Sequence, residues 1–330
     1  MIISRTPFRI SFFGGGSDYP RWFRQHGGAV LSTSIDKYCY ISCRRLPPFF
    51  EYRHRFVYSR SETVQEISQI QHPAIRAVLE QLEWHDGLEI HHDGDLPARS
   101  GLGTSSSFTV GLLNELYAMK GQYVSKENLA AKAIDVEQNV IRENVGSQDQ
   151  VSAAYGGFNR IEFRRDGGFD PVPVIVPQDR LDALQSHLML VFTGFSRTAS
   201  EIAKTKIENL DVRAAEIRRL TAMVDEGIQI LAGTGPIEEF GELLHDAWML
   251  KRNIADGISN PEIDSIYAAA RGCGAIGGKL LGAGAGGFMV FFAKPSNHSV
   301  IQERLKNLVQ VPFRFETSGS RIVLYQPNGL

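Results

Sequence analysis

The run Pro97 to Ser107, PARSGLGTSSS, places Gly101 and Gly103 directly before four hydroxyl side chains, Thr104, Ser105, Ser106 and Ser107. Glycines let a backbone approach a ligand closely and adopt positive φ. The residues that follow, FTVGLLNELYAM, read as an apolar helix whose N-terminus faces the loop. Free N–H groups and the helix dipole favour an anion there, and a hydroxyl in the first turn can bind Mg²⁺. No Gly-Lys-Ser/Thr occurs at the spacing a Walker A loop requires. A flexible Gly/Ser turn has the same composition, so the run alone leaves both readings open.

Two other glycine segments stand out. Gly14-Gly15-Gly16-Ser17-Asp18 follows the strand-like RISFF, and a carboxylate presented there can accept hydrogen bonds from sugar hydroxyls; a plain turn is the alternative. Gly277 to Phe288, GGKLLGAGAGGF, contains G-x-G, but the order is helix, glycines, strand. A dinucleotide fingerprint needs strand, glycines, helix, so close packing of backbone against another loop is the better account.

Two carboxylates need explanation. On a helix from Lys126 to Asn144, Leu129, Ala133, Ile134, Val140 and Ile141 share one apolar stripe, and Glu137 falls in its middle. A buried carboxylate requires a cation, either an internal salt bridge or a metal shared with the hydroxyls of the 104–106 turn. Asp149 follows in what reads as a loop between that helix and a strand, where a rigid scaffold often holds a reactive group.

The elements that must position these groups are mixed. Residues 1–13 and 29–42 read as strands, 73–82 as a short helix, and 155–165, 172–176 and 187–193 as strands. A long helix is expected from the capping pair Thr198 and Glu201, then helices opened by Pro236 and by Asn260-Pro261, and a strand at 288–293. This is an α+β pattern, strand-rich then helix-rich, with expected domains at 1–175 and 176–330. The 330 residues are 43% hydrophobic and 22% charged, with a formal charge of -2, which disfavours a general nucleic-acid role. Three cysteines, Cys39, Cys43 and Cys273, argue against a disulfide framework and point to the cytoplasm. No apolar run reaches the roughly 20 residues of a membrane span, and no signal peptide is read at the N-terminus.

Taken together, PFRISFFGGGSD, PARSGLGTSSS and GGKLLGAGAGGF resemble, in order and separation, the three motifs of the GHMP kinase superfamily. The resemblance spans nearly the whole chain. It implies a two-domain fold, with an N-terminal domain like ribosomal protein S5 domain 2 and a ferredoxin-like C-terminal domain. It implies ATP and Mg²⁺, with the ATP phosphates held by Pro97, Arg99, Ser100, Gly101, Leu102, Gly103, Thr104, Ser105 and Ser106. Ser105 and Glu137 match the metal ligands, Asp149 the group that accepts the substrate hydroxyl proton, and Arg9 the basic residue near the transferred phosphoryl group. Substrate contacts are expected from Arg9, Gly15, Gly16, Ser17, Asp18, Asp149, Gly284 and Gly286. The Gly-Gly-Gly-Ser-Asp variant and FTGFSRTASEI, residues 192–202, are similar to bacterial D-glycero-D-manno-heptose 7-phosphate kinases, which act on the anomeric hydroxyl. A substrate that already carries a phosphate needs a distal cationic pocket, for which Ser196 and Arg197 are the candidates and the helical lysines Lys204 and Lys206 weaker ones. The partners implied are a sugar phosphate and ATP, with no nucleic acid or membrane, in a monomer or homodimer. A kinase of an unphosphorylated sugar, of fucose or galactose type, and a catalytically silent sugar sensor are the competing readings.

Overall fold

The computed structural model describes residues 1–194 and 199–327. Seven strands open the chain: β1 (Ile2–Phe13), β2 (Gly28–Arg45), β3 (His54–Val57), β4 (Ser61–Val64), β5 (Leu88–Gly94), β6 (Phe158–Phe163) and β7 (Phe169–Pro173). A second sheet contains β8 (Leu188–Phe192), β9 (Ala275–Leu280), β10 (Phe288–Ala293) and β11 (Val309–Val311), antiparallel in the order β11-β8-β10-β9. The last two strands, β12 (Phe315–Glu316) and β13 (Arg321–Tyr325), return to the first sheet. β13 covers the edge of β1 at Ile2–Arg5, and β12 pairs with β2 at Ser34 and Ile35. The first sheet therefore draws on residues from well beyond position 175.

β2 organises that sheet. One edge pairs with β1, with Arg9 opposite Ser34. The other edge is shared by β6 at Gly28–Thr33, β12 at Ser34–Ile35 and β5 at Cys39–Arg45. From Thr6 to Phe13, β1 is buried at every position rather than alternating. Elements of both halves cover it, so the polar Arg9 and Ser11 are buried along with Phe8, Ile10 and Phe12.

The helices are α1 (Pro20–His26), α2 (Pro73–Gln81), α3 (Thr104–Met119), α4 (Lys126–Asp135), α5 (Gln148–Tyr155), α6 (Gln178–His187), α7 (Ala199–Glu208), α8 (Ala214–Ala232), α9 (Glu238–Arg252), α10 (Pro261–Gly272) and α11 (His298–Arg304). Local chemistry sets several of their ends. Ser125 Oγ accepts from the Asn128 N–H at 3.2 Å to start α4, and Asn260 Oδ1 accepts from Ile263 at 2.9 Å ahead of Pro261 in α10. The long helix expected after Thr198 is two helices, α7 and α8, broken at 209–213; Thr198 itself lies outside the described residues.

The helix expected to run to Asn144 also differs. It is α-helical only to Asp135, and a π-helical turn follows at Val136–Val140. An extra residue in one turn rotates everything after it by ~100°. Leu129, Ala133, Val136 and Glu137 are accordingly buried, but Val140, placed on the apolar stripe by simple periodicity, is 43% exposed.

The halves share one hydrophobic core. Phe12 and Phe13 of β1 meet Phe240 of α9 with ring centroids 5.4 and 5.1 Å apart, and Phe240 meets Phe292 of β10 at 6.3 Å. No helix among the described residues is long and apolar enough to cross a membrane.

Candidate active site

The 97–107 run is a loop only to Gly103; α3 begins at Thr104, so the four hydroxyls occupy its first turn. Gly103 precedes it in a left-handed conformation, φ 74°, and the Arg99 N–H donates to Thr104 Oγ1 at 3.0 Å, folding the loop back on the helix start. The third glycine segment packs on this loop, as its composition suggested. A Cβ on Gly282 would come 2.5 Å from Gly101 Cα, one on Gly101 2.6 Å from the Leu281 carbonyl oxygen, and one on Gly287 2.2 Å from the Ser100 oxygen. The Phe288 N–H donates to that oxygen at 3.0 Å. The second half of the chain thus braces the loop from behind, backbone on backbone. Gly284 packs against Ile258.

Glu137 is 1% exposed, at the start of the π turn. Its Oε2 accepts from Ser106 Oγ at 2.8 Å and from Gln150 Nε2 at 2.5 Å. Its Oε1 is buried without a hydrogen-bond partner, as are Gln150 Oε1 and Ser100 Oγ. Burial pushes its pKa up to about 7, against the pull of the Ser106 and Gln150 donors. Ser106 is the hydroxyl that meets Glu137, while Ser105, matched to a metal ligand by the resemblance, is exposed. The reason is helical phase, since adjacent residues point ~100° apart and the helix begins at Thr104. An orphaned, buried carboxylate oxygen beside other oxygen acceptors fits a hard cation, which takes one or two carboxylates and completes its shell with phosphate and water.

Asp149 sits in the first turn of α5, not in a loop. Arg9 grips it in a fork: Nε to Oδ1 at 2.8 Å and Nη2 to Oδ2 at 2.9 Å. The remaining Arg9 nitrogen, Nη1, donates to the Gly101 carbonyl at 2.6 Å, and the Arg9 backbone N–H donates to Leu102 at 3.0 Å. One side chain therefore ties Asp149 to the loop. Arg9 is 4% exposed while the Asp149 side chain is 27% exposed, so the carboxylate keeps a face to solvent.

Asp18, 2% exposed, lies alongside. Its Oδ1 accepts from the Gly16 N–H at 2.9 Å, and its carbonyl accepts from Ser147 at 2.9 Å. A Cβ on Gly146 would come 1.9 Å from Asp18 Oδ2; a glycine here is what lets the 146–149 segment close on the first motif. Burial pushes the Asp18 carboxyl above its ordinary value, with the Lys206 ammonium pulling it down. Gly15 borders open space. Ser17, an expected substrate contact, is fully buried, and its hydroxyl bonds the carbonyls of Gly14 and Ala29 at 2.8 and 2.9 Å. It closes the turn onto β2, with its hydroxyl taken up by the protein's own backbone. Ser196 and Arg197 lie outside the described residues.

Three buried lysines complete the surroundings. Lys279 Nζ donates to the Phe12 carbonyl at 2.6 Å, and Lys251 Nζ to the Leu280 and Gly282 carbonyls at 2.7 Å each. Burial, then Lys206 and Arg9, lowers Lys279 to about 7; burial likewise holds Lys251 well below its ordinary value. Lys206 on α7 is 4% exposed, whereas Lys204 is exposed. A helical lysine ordinarily faces water, and Lys206 does not. A signal was present: Ala203, Lys206 and Leu210 fall at i, i+3 and i+7 on one buried stripe, the same kind of misplaced charge that marked Glu137.

Beyond the start of α3, the rings of His72 and His92 lie 4.8 and 5.0 Å from Phe108. A separate cavity of about 570 Å³ is bounded by Lys37, Pro97, Phe192, Phe288 and Val311, and none of Arg9, Asp18 or Asp149 lines it.

Comparisons to known proteins place the chain in a family. The profile for the GHMP kinases N terminal domain matches residues 68–157, and that for the GHMP kinases C terminal matches residues 229–310; together they cover just over half of the sequence. The chain belongs to the GHMP kinases. A GHMP kinase is a phosphotransferase with an alcohol acceptor, and this one has the two-domain α+β architecture of the family. It is similar to the D-glycero-alpha-D-manno-heptose 7-phosphate kinase of Campylobacter jejuni, 27% identical over 312 residues and covering 89% of this chain and 90% of that one. It is also similar to the bifunctional fucokinase/GDP-fucose pyrophosphorylase of Arabidopsis thaliana, 25% identical over 332 residues, of which it spans only 30%. The solved structure of a D-glycero-D-manno-heptose 1-phosphate kinase from Bacteroides thetaiotaomicron superposes with a TM-score of 0.80 over 98% of this chain and 99% of that one, at 22% identity, and so shares the fold of this GHMP kinase.

Proposed function

We propose that this GHMP kinase transfers the γ-phosphoryl group of ATP, with Mg²⁺, to the anomeric hydroxyl of D-glycero-D-manno-heptose 7-phosphate in the cytoplasm, giving the 1,7-bisphosphate. The observation that carries the phosphotransferase chemistry is the Arg9 fork, which fixes Asp149 beside the phosphate loop. The choice of sugar is supported by the similarity to the Campylobacter kinase across most of both chains.

The α3 N-terminus and the 99–103 backbone receive the phosphates. Asp18 accepts hydrogen bonds from sugar hydroxyls and orients the ring. The acceptor oxygen attacks the γ-phosphorus as the bond to the β–γ bridging oxygen breaks, and its proton passes to the exposed face of Asp149. Arg9 holds that carboxylate in line, and its charge favours the transition state over the ground state. Glu137, steadied by Ser106 and Gln150, would hold Mg²⁺, which neutralises charge on the phosphates when bound.

The test is a panel of heptose 7-phosphate, free heptose, L-fucose, D-galactose and mevalonate with ADP release as readout. Preference for heptose 7-phosphate is expected. Equal turnover of heptose and heptose 7-phosphate removes the requirement for the distal phosphate, and preference for fucose or galactose moves the enzyme to the unphosphorylated-sugar class.

A further inference from the structure

Lys206 reaches into the site from α7. Its ammonium lies 5.3 Å above the ring of Tyr19 and 3.6 Å from where a Cβ on Gly16 would stand, so it overhangs the first glycine turn. The anions facing it are Asp18 and Asp149. The neighbouring cations are each spent on an oxygen: Arg9 on Asp149, Lys279 on Phe12, and Lys251 on Leu280 and Gly282. Among the described residues Lys206 has no oxygen partner and no carboxylate within ion-pair distance. Burying an ammonium without a partner is costly. Burial indeed lowers its pKa, against the pull of the two aspartates.

We propose that Lys206 contacts the acceptor sugar, donating a hydrogen bond from Nζ to a hydroxyl oxygen held between Asp18 and Asp149. The inference rests on the sugar-kinase reading and deepens it. Ionised carboxylates only accept hydrogen bonds, so a diol bound by Asp18 and Asp149 gives them its protons and is left with unfilled lone pairs. An ammonium overhanging the Gly16 turn next to Asp18 supplies the missing donor. The trio selects a polyol, whichever sugar carries it.

The experiment compares wild type with Lys206→Met, similar in size but without charge or donor. kcat/KM is measured on heptose 7-phosphate and on free heptose at saturating ATP, and KM for ATP separately. The expected result is a ~10–100-fold loss on both sugars by the same factor, as for a charge-assisted hydrogen bond, with KM for ATP unchanged. A loss confined to heptose 7-phosphate overturns the proposal by assigning Lys206 to the distal phosphate. No loss on either sugar overturns it outright, and so does a loss matched by an equal rise in KM for ATP, which marks a structural role. If wild type uses neither heptose, the substrate reading fails by itself. The same comparison on galactose and L-fucose then decides the role of Lys206, a loss on the active sugar supporting it and no loss refuting it. If Lys206→Met does not fold by circular dichroism, Lys206→Gln replaces it under the same criteria.

Discussion

Replacing Glu137 by Gln should change how stability depends on pH. In the folded protein the Glu137 carboxyl titrates at about 7, raised from 4.5. The unfolded chain releases the proton first as pH rises, so the native state loses stability between those values and the loss is complete above about 7. A shift of that size corresponds to roughly 3 kcal/mol, at ~1.4 kcal/mol per pH unit. Glutamine keeps the volume and carries no titrating proton. Urea denaturation at intervals from pH 5 to 8 gives both variants' unfolding free energies, and their difference removes the titrations they share. Wild type should lose about 2–3 kcal/mol relative to Glu137→Gln across that window. Adding Mg²⁺ and a non-hydrolysable ATP analogue at pH 8 should restore wild type and leave the variant behind, because bound ligand stabilises only the form that binds it. Parallel curves from pH 5 to 8 would refute the picture of a buried, half-satisfied carboxylate.

Four further outcomes follow from the site. Asp149→Asn should lower kcat by ~10²-fold or more with little change in nucleotide affinity, since the loss falls on proton acceptance and orientation; near-normal turnover rejects that role. Ser106→Ala should weaken Mg²⁺-dependent activation more than Ser105→Ala, because only Ser106 is bonded to Glu137; the reverse order returns the metal contact to Ser105. Gly287→Ala, at φ 104° with its Cβ 2.2 Å from the Ser100 carbonyl oxygen, should destabilise the fold and raise KM for ATP; a neutral effect on both denies that the loop is braced from behind. Lys279 holds its proton to 10.5 when unfolded but only to about 7 when folded, so native stability falls as pH drops from 10.5 to 7. Lys279→Met should flatten that slope in urea titrations at pH 7.5 and 9.5, and an unchanged slope rejects the burial of the amine.

How much was legible depended on how local the determinant was. The loop before α3 announces itself as a candidate anion site because glycines, hydroxyls and an apolar helix are consecutive. Glu137 was found by helical phase, and phase also produced one error, because the π turn after Asp135 moved Val140 outward. The start of α3 at Thr104 makes Ser106 the residue bonded to Glu137, one position after Ser105. Neither event leaves a strong mark in composition. Lys206 shares a buried stripe with Ala203 and Leu210, a weak mark because lysine on a helix is so often solvated. Ser17 looked like a ligand because it adjoins Asp18; its neighbour in space, Ala29, is set by the β1–β2 pairing and not by the motif. β13 could not be read as part of the first sheet, because its partner at Ile2–Arg5 is the other extreme of the sequence.

That last pairing bears on how the protein comes to exist. While the chain is being made, β1 and β2 can pair early, but the outer edge of Ile2–Arg5 stays bare until Arg321–Tyr325 has been synthesised, and the Ser34–Ile35 edge waits for Phe315–Glu316. Pairings this distant in sequence form slowly, and an uncovered strand edge invites pairing with other chains. The half that carries the phosphate loop and Asp149 is therefore not a self-sufficient module. Its completion is tied to synthesis of the far strands, which makes nascent or truncated forms prone to aggregation and rules out rescue of activity by the first 175 residues alone.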